Sequence, residues 1–170
     1  MSGEIVFHNP GEGRALEVGG DLLLFKASRN EGFASLFIEL ISPPGGGPPP
    51  HTDPSDELFY VLEGDFEFVS PGPGGLASRR LQVGESVCVP RGAPHGFRNV
   101  GTQPGRLLVF FPQNERMQGF FEELGDPVSD PSSWTSSGPP PIERVIAAAE
   151  RWGVAFAGPP PADDATASPR

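Results

Sequence analysis

The stretches "GGGPPPHTDPSDELFYVLEG" at residues 45–64 and "GESVCVPRGAPHGFRN" at residues 84–99 decide how this chain folds. Each stretch begins with glycine and carries a histidine in or beside a segment of strand-forming residues. Together they contain two of the three histidines, His51 and His95, and the carboxylates Asp53 and Glu57. A β-sheet that folds back on itself brings such side chains to one place, so the two stretches predict a candidate metal site.

The rest of the chain has the pattern of many short strands. Apolar runs such as "LLLFKA", "ASLFIELI" and "GRLLVFF" are separated by glycine and proline clusters, which is typical of strands joined by tight turns. We place strands near residues 4–8, 14–18, 21–27, 34–41, 57–63, 65–70, 78–82, 86–90, 95–100 and 105–112. Strands that follow one another without helices favour a β-sandwich or barrel over a βαβ fold.

Helices are predicted only in the last third of the chain. The segments "NERMQGFFEELG" at 114–125 and "PIERVIAAAERWG" at 141–153 both have apolar residues at helical spacing and end at glycine. The intervening residues 126–141 are rich in proline and serine. The predicted organisation is one barrel with its following helix over residues 1–125, a linker over 126–141, and a helix with a flexible tail over 142–170.

Composition argues against several partners. The net charge is −10 with only 12 scattered lysines and arginines, so a nucleic-acid partner is not expected. No apolar run approaches the roughly 18 residues of a membrane span, and the amino terminus lacks the pattern of a signal peptide, so we expect a cytoplasmic protein without a membrane partner. The single cysteine, Cys88, excludes an internal disulfide and is interpreted as a small buried apolar residue.

The candidate metal ligands follow from strand periodicity. His51, Asp53 and Glu57 are separated by even numbers of residues, so an extended segment places them on one face. Two imidazoles and a carboxylate around a divalent ion are the donor set of non-haem iron sites that use oxygen. His51, His95 and Glu57 are therefore the preferred ligands. Asp53 has a shorter side chain and is either a fourth ligand, directly or through water, or a cap for the turn at Pro54. For each histidine, a structural hydrogen-bonding role is the alternative.

The two stretches resemble the cupin superfamily. The family's first motif is matched in register by Gly45, His51, Glu57 and Gly64, with Asp53 where the family has a second histidine. The second motif is matched in full by Gly84, Pro90, Gly92, His95 and Asn99. More loosely, the whole chain is similar to single-domain bacterial cupins called quercetin dioxygenase-like proteins.

This resemblance implies an all-β double-stranded β-helix, a jelly-roll barrel, followed by C-terminal helices. It also implies a homodimer and a divalent metal ion, such as iron, manganese, nickel or zinc, held by the motif residues. The implied activity is a dioxygenase acting on a flavonol-like or other enolic aromatic molecule, in which Glu57 is the catalytic residue that moves the substrate's hydroxyl proton. Two alternatives stay open. One is a non-catalytic barrel with weak or no metal that binds a small apolar, aromatic or sugar-like ligand, and the other is a metal-dependent isomerase or lyase.

Overall fold

The computed structural model describes residues 5–113 and 116–157 of the chain. Its strands are β1 (Arg14–Val18), β2 (Asp21–Ala27), β3 (Leu36–Ser42), β4 (His51–Thr52), β5 (Glu57–Glu63), β6 (Phe66–Gly72), β7 (Gly75–Leu81), β8 (Ser86–Val89), β9 (Gly96–Asn99), β10 (Gly105–Phe111), β11 (Asp126–Pro127) and β12 (Ala155–Phe156). The helices are α1 (Met117–Leu124) and α2 (Ile142–Trp152), and short 3-10 turns occur at Arg29–Glu31 and Pro131–Ser133.

The strands form two layers of antiparallel sheet. One layer has the order β11-β1-β2-β3-β10-β5-β8. The other contains β7-β6-β9, and the pair β12-β4 continues it because His51 of β4 pairs with His95 at the start of β9. This double-layered barrel with helices towards its C-terminal end confirms the fold class predicted from the sequence.

Alternating side chains build the core between the layers. In β10, Leu107, Val109 and Phe111 are buried, and in β5 Phe59 and Val61 point to the same interior. The intervening residues of both strands face outward, as the two-residue period of a strand requires. Cys88 lies on the outward phase of β8 and is exposed, so its interpretation as a buried residue is wrong.

The strand predicted at residues 4–8 is not formed in its described part. Residues 5–8 have no strand pairing, and the side chains of Ile5 and Phe7 are 77% and 85% exposed. The apolar composition of this segment suggested a strand, but an extended segment becomes a strand only where a neighbour offers hydrogen bonds. Residues 1–4 lie outside the described part of the chain.

The stretch 126–141 packs on the outer face of the seven-stranded sheet. Within it β11 pairs with β1, and Trp134 donates its indole N–H to Glu17 at 2.8 Å. Val128 and Trp134 also contact a small apolar cluster on the outward side of β1 and β2. Residues 158–170, where a flexible tail is predicted, lie outside the described residues. None of the described helices is long and apolar enough to cross a lipid bilayer.

Candidate metal centre

The glycine and proline run before β4 sets the position of His51. Gly47 has a φ of +121°, and a Cβ atom there would lie 2.2 Å from the carbonyl oxygen of Phe97. Only glycine combines this backbone conformation with so close an approach to β9. The run therefore lies against β9, and His51, which follows it, lies beside His95.

The two histidines are paired through their backbones as well as their rings. His51 donates its backbone N–H to the carbonyl of His95 at 2.8 Å, and His95 returns the same bond at 2.8 Å. Their ring centroids are 4.4 Å apart. The sequence prediction that these two imidazoles, from stretches more than thirty residues apart, meet inside the barrel agrees with this geometry.

Each imidazole is oriented by a bond from its Nδ1 atom. His51 Nδ1 lies 3.0 Å from the carbonyl oxygen of Pro49, and His95 Nδ1 lies 2.9 Å from that of Ala93. Since a carbonyl only accepts hydrogen bonds, Nδ1 carries the hydrogen in both rings. The Nε2 atoms are therefore the ones available to hold a cation, and the backbone carbonyls act as the outer partners that fix the rings.

The two carboxylate oxygens of Asp53 have different surroundings: one stabilises a turn and the other lies in the candidate metal site. Oδ1 accepts a hydrogen bond from the backbone N–H of Ser55 at 2.9 Å and so caps the turn at Pro54. Oδ2 is buried, has no hydrogen-bond partner among the described residues, and lies 3.8 Å from His95 Nε2. A buried carboxylate oxygen without a partner is costly, and a cation at this point would satisfy it.

Glu57 contacts the same imidazole. Its Oε2 atom lies 2.9 Å from His95 Nε2, and its side chain is only 7% exposed. Because the hydrogen of the His95 ring sits on Nδ1, the contact with Nε2 requires one further proton, carried by either the carboxyl or the ring. Glu57 and His95 thus share a proton at the position where a cation would bind.

The buried donor atoms lie close enough together for a metal ion. One atom each from His51, Asp53 and His95 lies within 4.8 Å of the other two, and Glu57 joins this group through its hydrogen bond to His95. The sequence ranked Glu57 above Asp53 as a ligand, whereas in the fold the oxygen of Asp53 belongs to the compact group. Two imidazole nitrogens and carboxylate oxygens suit a divalent transition metal.

Burial and mutual charge shift the pKa values of this group. Burial raises the pKa of Glu57 to about 7, with the nearby Asp53 carboxylate acting in the same direction. Burial lowers the pKa of His51 to about 4, helped by the neighbouring His95 ring. Burial alone would lower the pKa of His95 too, but the hydrogen bond and charge of Glu57 outweigh it and the pKa rises. These directions agree with one proton shared by Glu57 and His95.

A groove of about 390 Å³ leads to His95 from one side of the barrel. It lies between β6 and β7 on one side and β8 on the other, and Phe68, Leu81 and Val87 form part of its apolar wall. Phe59 packs against both Phe68 and the His95 ring, with centroids 4.9 and 6.1 Å away. The sequence alone does not distinguish which of the 13 phenylalanines approach the site.

Sequence reasoning missed one aromatic neighbour. Phe156 of β12 places its ring centroid 5.8 Å from that of His51. It lies more than one hundred residues after His51 and outside both motifs, so the motif spacing does not connect the two. The segment "RWGVAFAGPPP" that contains it resembles the same bacterial cupins, but that resemblance assigns it no role at the site.

Comparison with known proteins defines the class of the fold. Residues 39–111 match the family model described as Cupin domain, and His51, Asp53, Glu57 and His95 of the candidate site all lie within this range. The match covers less than half of the chain, and together with the jelly-roll barrel described above it supports the cupin superfamily.

Similar proteins come from plants and from a bacterium. Germin-like protein subfamily 2 member 2 of Arabidopsis thaliana is 38% identical over 79 residues, which are 45% of this chain and 35% of that protein. The rhicadhesin receptor of Pisum sativum is 30% identical over 113 residues, 65% of this chain and 48% of that protein. The chain thus spans less than half the length of both. The structure of the polyketide cyclase RemF from Streptomyces resistomycificus is 25% identical with a TM-score of 0.56, covering 66% of this chain and 86% of that one.

Proposed function

We propose that this chain is a metal-dependent enzyme acting on a small enolic or phenolic molecule, with one divalent ion held by His51, Asp53, Glu57 and His95. The observation that carries the proposal is the unpartnered, buried Oδ2 atom of Asp53, which lies 3.8 Å from His95 Nε2 in a compact group of buried donor atoms. A purely structural histidine pair does not need a second carboxylate with an unsatisfied oxygen beside it.

The residues of the site suit proton transfer from an acidic hydroxyl. When bound, the ion would polarise an oxygen atom of the ligand and make its hydroxyl or enol more acidic. Glu57 is the residue that accepts the released proton, since its buried carboxyl lies at the site and burial raises its pKa to about 7 in the metal-free protein. His95 shares a proton with Glu57 through their 2.9 Å contact in the metal-free site, and with an ion bound its Nε2 atom would serve as a ligand instead.

The groove suits a small ligand with aromatic character. Its volume of about 390 Å³ is at the lower end of the range for ligand sites, which is about 300–1,000 Å³. Apolar walls favour a ring system, while Arg79 at the groove offers a cation to an ionised oxygen. The polyketide cyclase named above supports an enolic or phenolic ligand by similarity.

A dioxygenase is the first candidate reaction. Imidazoles combined with a carboxylate are the donor set of iron enzymes that use dioxygen, and a flavonol or diketone presents the chelating enol that such a site would hold. A non-oxidative reaction of the isomerase or lyase type is the second candidate, favoured by the similarity to a cyclase. A barrel that only binds its ligand is the third.

Metal binding is the first experiment. Apo protein titrated with Co²⁺, Mn²⁺, Fe²⁺, Ni²⁺ and Zn²⁺ should take up one ion per chain, and Asp53→Asn should weaken the tightest binding by at least about tenfold. His8→Ala is the matched control, since His8 is the exposed third histidine and bonds only to the Lys26 carbonyl at 3.1 Å among its described contacts. Uptake that is unaffected by both Asp53→Asn and His51→Ala would refute the site.

Turnover separates the candidate reactions. Metal-loaded protein is mixed with flavonols, diketones and polyphenols, in air with an oxygen electrode and under argon with product analysis by mass spectrometry. Oxygen consumption that His95→Ala abolishes supports the dioxygenase, and product formed without oxygen supports the isomerase or lyase. Stoichiometric ligand binding without product under either condition leaves the binding barrel as the function.

A further inference from the structure

The segment 153–157 that follows α2, here called the C-terminal strap, lies along the strand that carries His51. Within it β12 pairs antiparallel with β4, and Phe156 lies opposite His51. The backbone N–H of Ala157 donates to the carbonyl of Pro50 at 2.8 Å. On the other side of β4, the backbone of His51 is hydrogen-bonded to that of His95. The strap and His95 therefore flank His51 on both sides.

Phe156 is the side chain of the strap that reaches the site. Its ring is tilted by 41° to that of His51 with centroids 5.8 Å apart, and His51 is only 8% exposed. Because β4 contains two residues, it offers few contacts of its own to hold the imidazole. The strap therefore supplies both a hydrogen-bonding edge and an apolar cover on this side of the cluster.

The strap is anchored by the packing of the two helices. The indole of Trp152 lies where a side chain on Gly119 would be, since a Cβ atom there would be 2.2 Å from the ring, and its N–H donates to Glu123 at 2.8 Å. The backbone N–H groups of Gly153 and Val154 both bond to the carbonyl of Ala149, and Val154 is 5% exposed. The position of Phe156 is thus determined by α1 and α2, outside the matched cupin range 39–111.

We infer that Phe156 is a positioning residue which holds His51 in place and closes its side of the proposed metal site, so that, among the described residues, the groove lined by His95 is the route left for ligands. This inference rests on the proposed function. A small or planar chelating molecule reaches the site along the apolar groove, whereas access past β4 is blocked by the ring. The specificity of the site then depends on a C-terminal segment that the cupin motifs do not include.

The rate of metal removal tests this directly. Protein loaded with Co²⁺ is mixed with EDTA, and the loss of the cobalt absorption is followed in the wild type, Phe156→Ala and Phe156→Leu. Removing the ring should speed removal by about tenfold or more, the range found for residues that support metal ligands. Leucine keeps most of the apolar volume and should restore most of the slow rate. Ile142→Ala, at a 59% exposed position of α2, is the matched control.

A second measurement needs no metal. Hydrogen–deuterium exchange at the ring carbon between the two nitrogens of histidine, read by mass spectrometry, reports how far solvent reaches each imidazole. In apo Phe156→Ala this exchange should accelerate at His51 by a larger factor than at His95. Ala157→Pro, which removes the N–H bonded to Pro50 but keeps the ring, should act in the same direction and alters an exposed residue at the end of the strap.

The outcomes separate the two proposals. If the wild type takes up no Co²⁺, the metal enzyme is refuted and the role of the strap in it falls as well. If the wild type binds Co²⁺ but Phe156→Ala releases it at the wild-type rate with unchanged His51 exchange, only the inference about Phe156 is refuted. Unfolding midpoints of all variants show whether faster release reflects loss of the fold, which would also count against the inference.

Discussion

Replacement of Glu57 by glutamine should change how the stability of the metal-free protein depends on pH. Burial raises the pKa of Glu57 from 4.5 to about 7, so the folded chain binds this proton more tightly than the unfolded chain does. The resulting stabilisation is complete below the unfolded pKa and is lost as the pH rises through about 7. Glutamine keeps the shape of the protonated carboxyl, donates an amide hydrogen to His95 Nε2 and does not ionise.

The size of the effect follows from the two pKa values. Relative to a carboxyl that stays protonated in both states, this pKa difference lowers the free energy of unfolding by about 3 kcal/mol at pH 8 and by about 1 kcal/mol at pH 5, so the wild type should lose about 2 kcal/mol relative to Glu57→Gln between these pH values. The raised pKa of His95 reflects the same shared proton, so it acts in the same direction and is not counted a second time. His51 has a lowered pKa and destabilises the fold on acidification, but it is present in both proteins and cancels in the comparison.

Urea unfolding with a chelator present, at intervals from pH 5 to pH 8, measures the difference. The free energies of unfolding of wild type and Glu57→Gln should be similar at pH 5 and diverge as the pH rises, with the variant becoming the more stable. Glu150→Gln, at an exposed position of α2, should run parallel to the wild type throughout. If the curves of wild type and Glu57→Gln also stay parallel to within about 0.5 kcal/mol, Glu57 is not protonated in the folded apo protein and the shared proton does not exist.

Three further outcomes are expected. Gly47→Ala should lower the free energy of unfolding in urea by more than about 3 kcal/mol, because the added Cβ atom would lie 2.2 Å from a backbone oxygen. The control Gly74→Ala has a φ of +89° and open space around it and should lower that free energy by about 1 kcal/mol. Equal losses would contradict the close approach at Gly47. A bound metal ion should stabilise the fold by about 2.7 kcal/mol at a free concentration one hundred times its Kd. Asp53→Asn, tested at the same metal concentration, should lose most of this stabilisation. A melting temperature that a chelator does not change would argue against the site. The expected homodimer should form through the outer face of β5, where Tyr60 is 45% exposed beside two partly exposed leucines. In sedimentation velocity Tyr60→Glu should therefore be a monomer, whereas the control Leu76→Glu, at a 49% exposed position of β7, should stay a dimer. A monomeric wild type would refute this prediction.

The sequence by itself predicted the barrel and the meeting of its histidines. Alternating apolar residues specify which face of each strand is buried, and the glycines and prolines of the two motifs specify where the chain turns. Those signals are local and periodic, so they can be recognised in the sequence alone. The second helix was placed correctly for the same reason, since Pro141 and Gly153 mark its ends.

Only the tertiary structure showed which contacts each residue of the site makes. Sequence spacing put His51, Asp53 and Glu57 on one face of an extended segment, but the turn at Pro54 ends β4 after Thr52 and redirects both carboxylates. One oxygen of Asp53 caps that turn while the other faces His95, and Glu57 arrives on the next strand to share a proton.

The cover over His51 was likewise visible only in the fold. Phe156 reaches the site because α2 packs on α1 and returns the chain to β4, a contact between residues more than one hundred positions apart. Periodicity and spacing describe neighbours along the chain, whereas distances between donor atoms and the burial that shifts their pKa values arise from packing many distant segments together. That is why the ligand types could be named from the sequence and their geometry, protonation and enclosure could not.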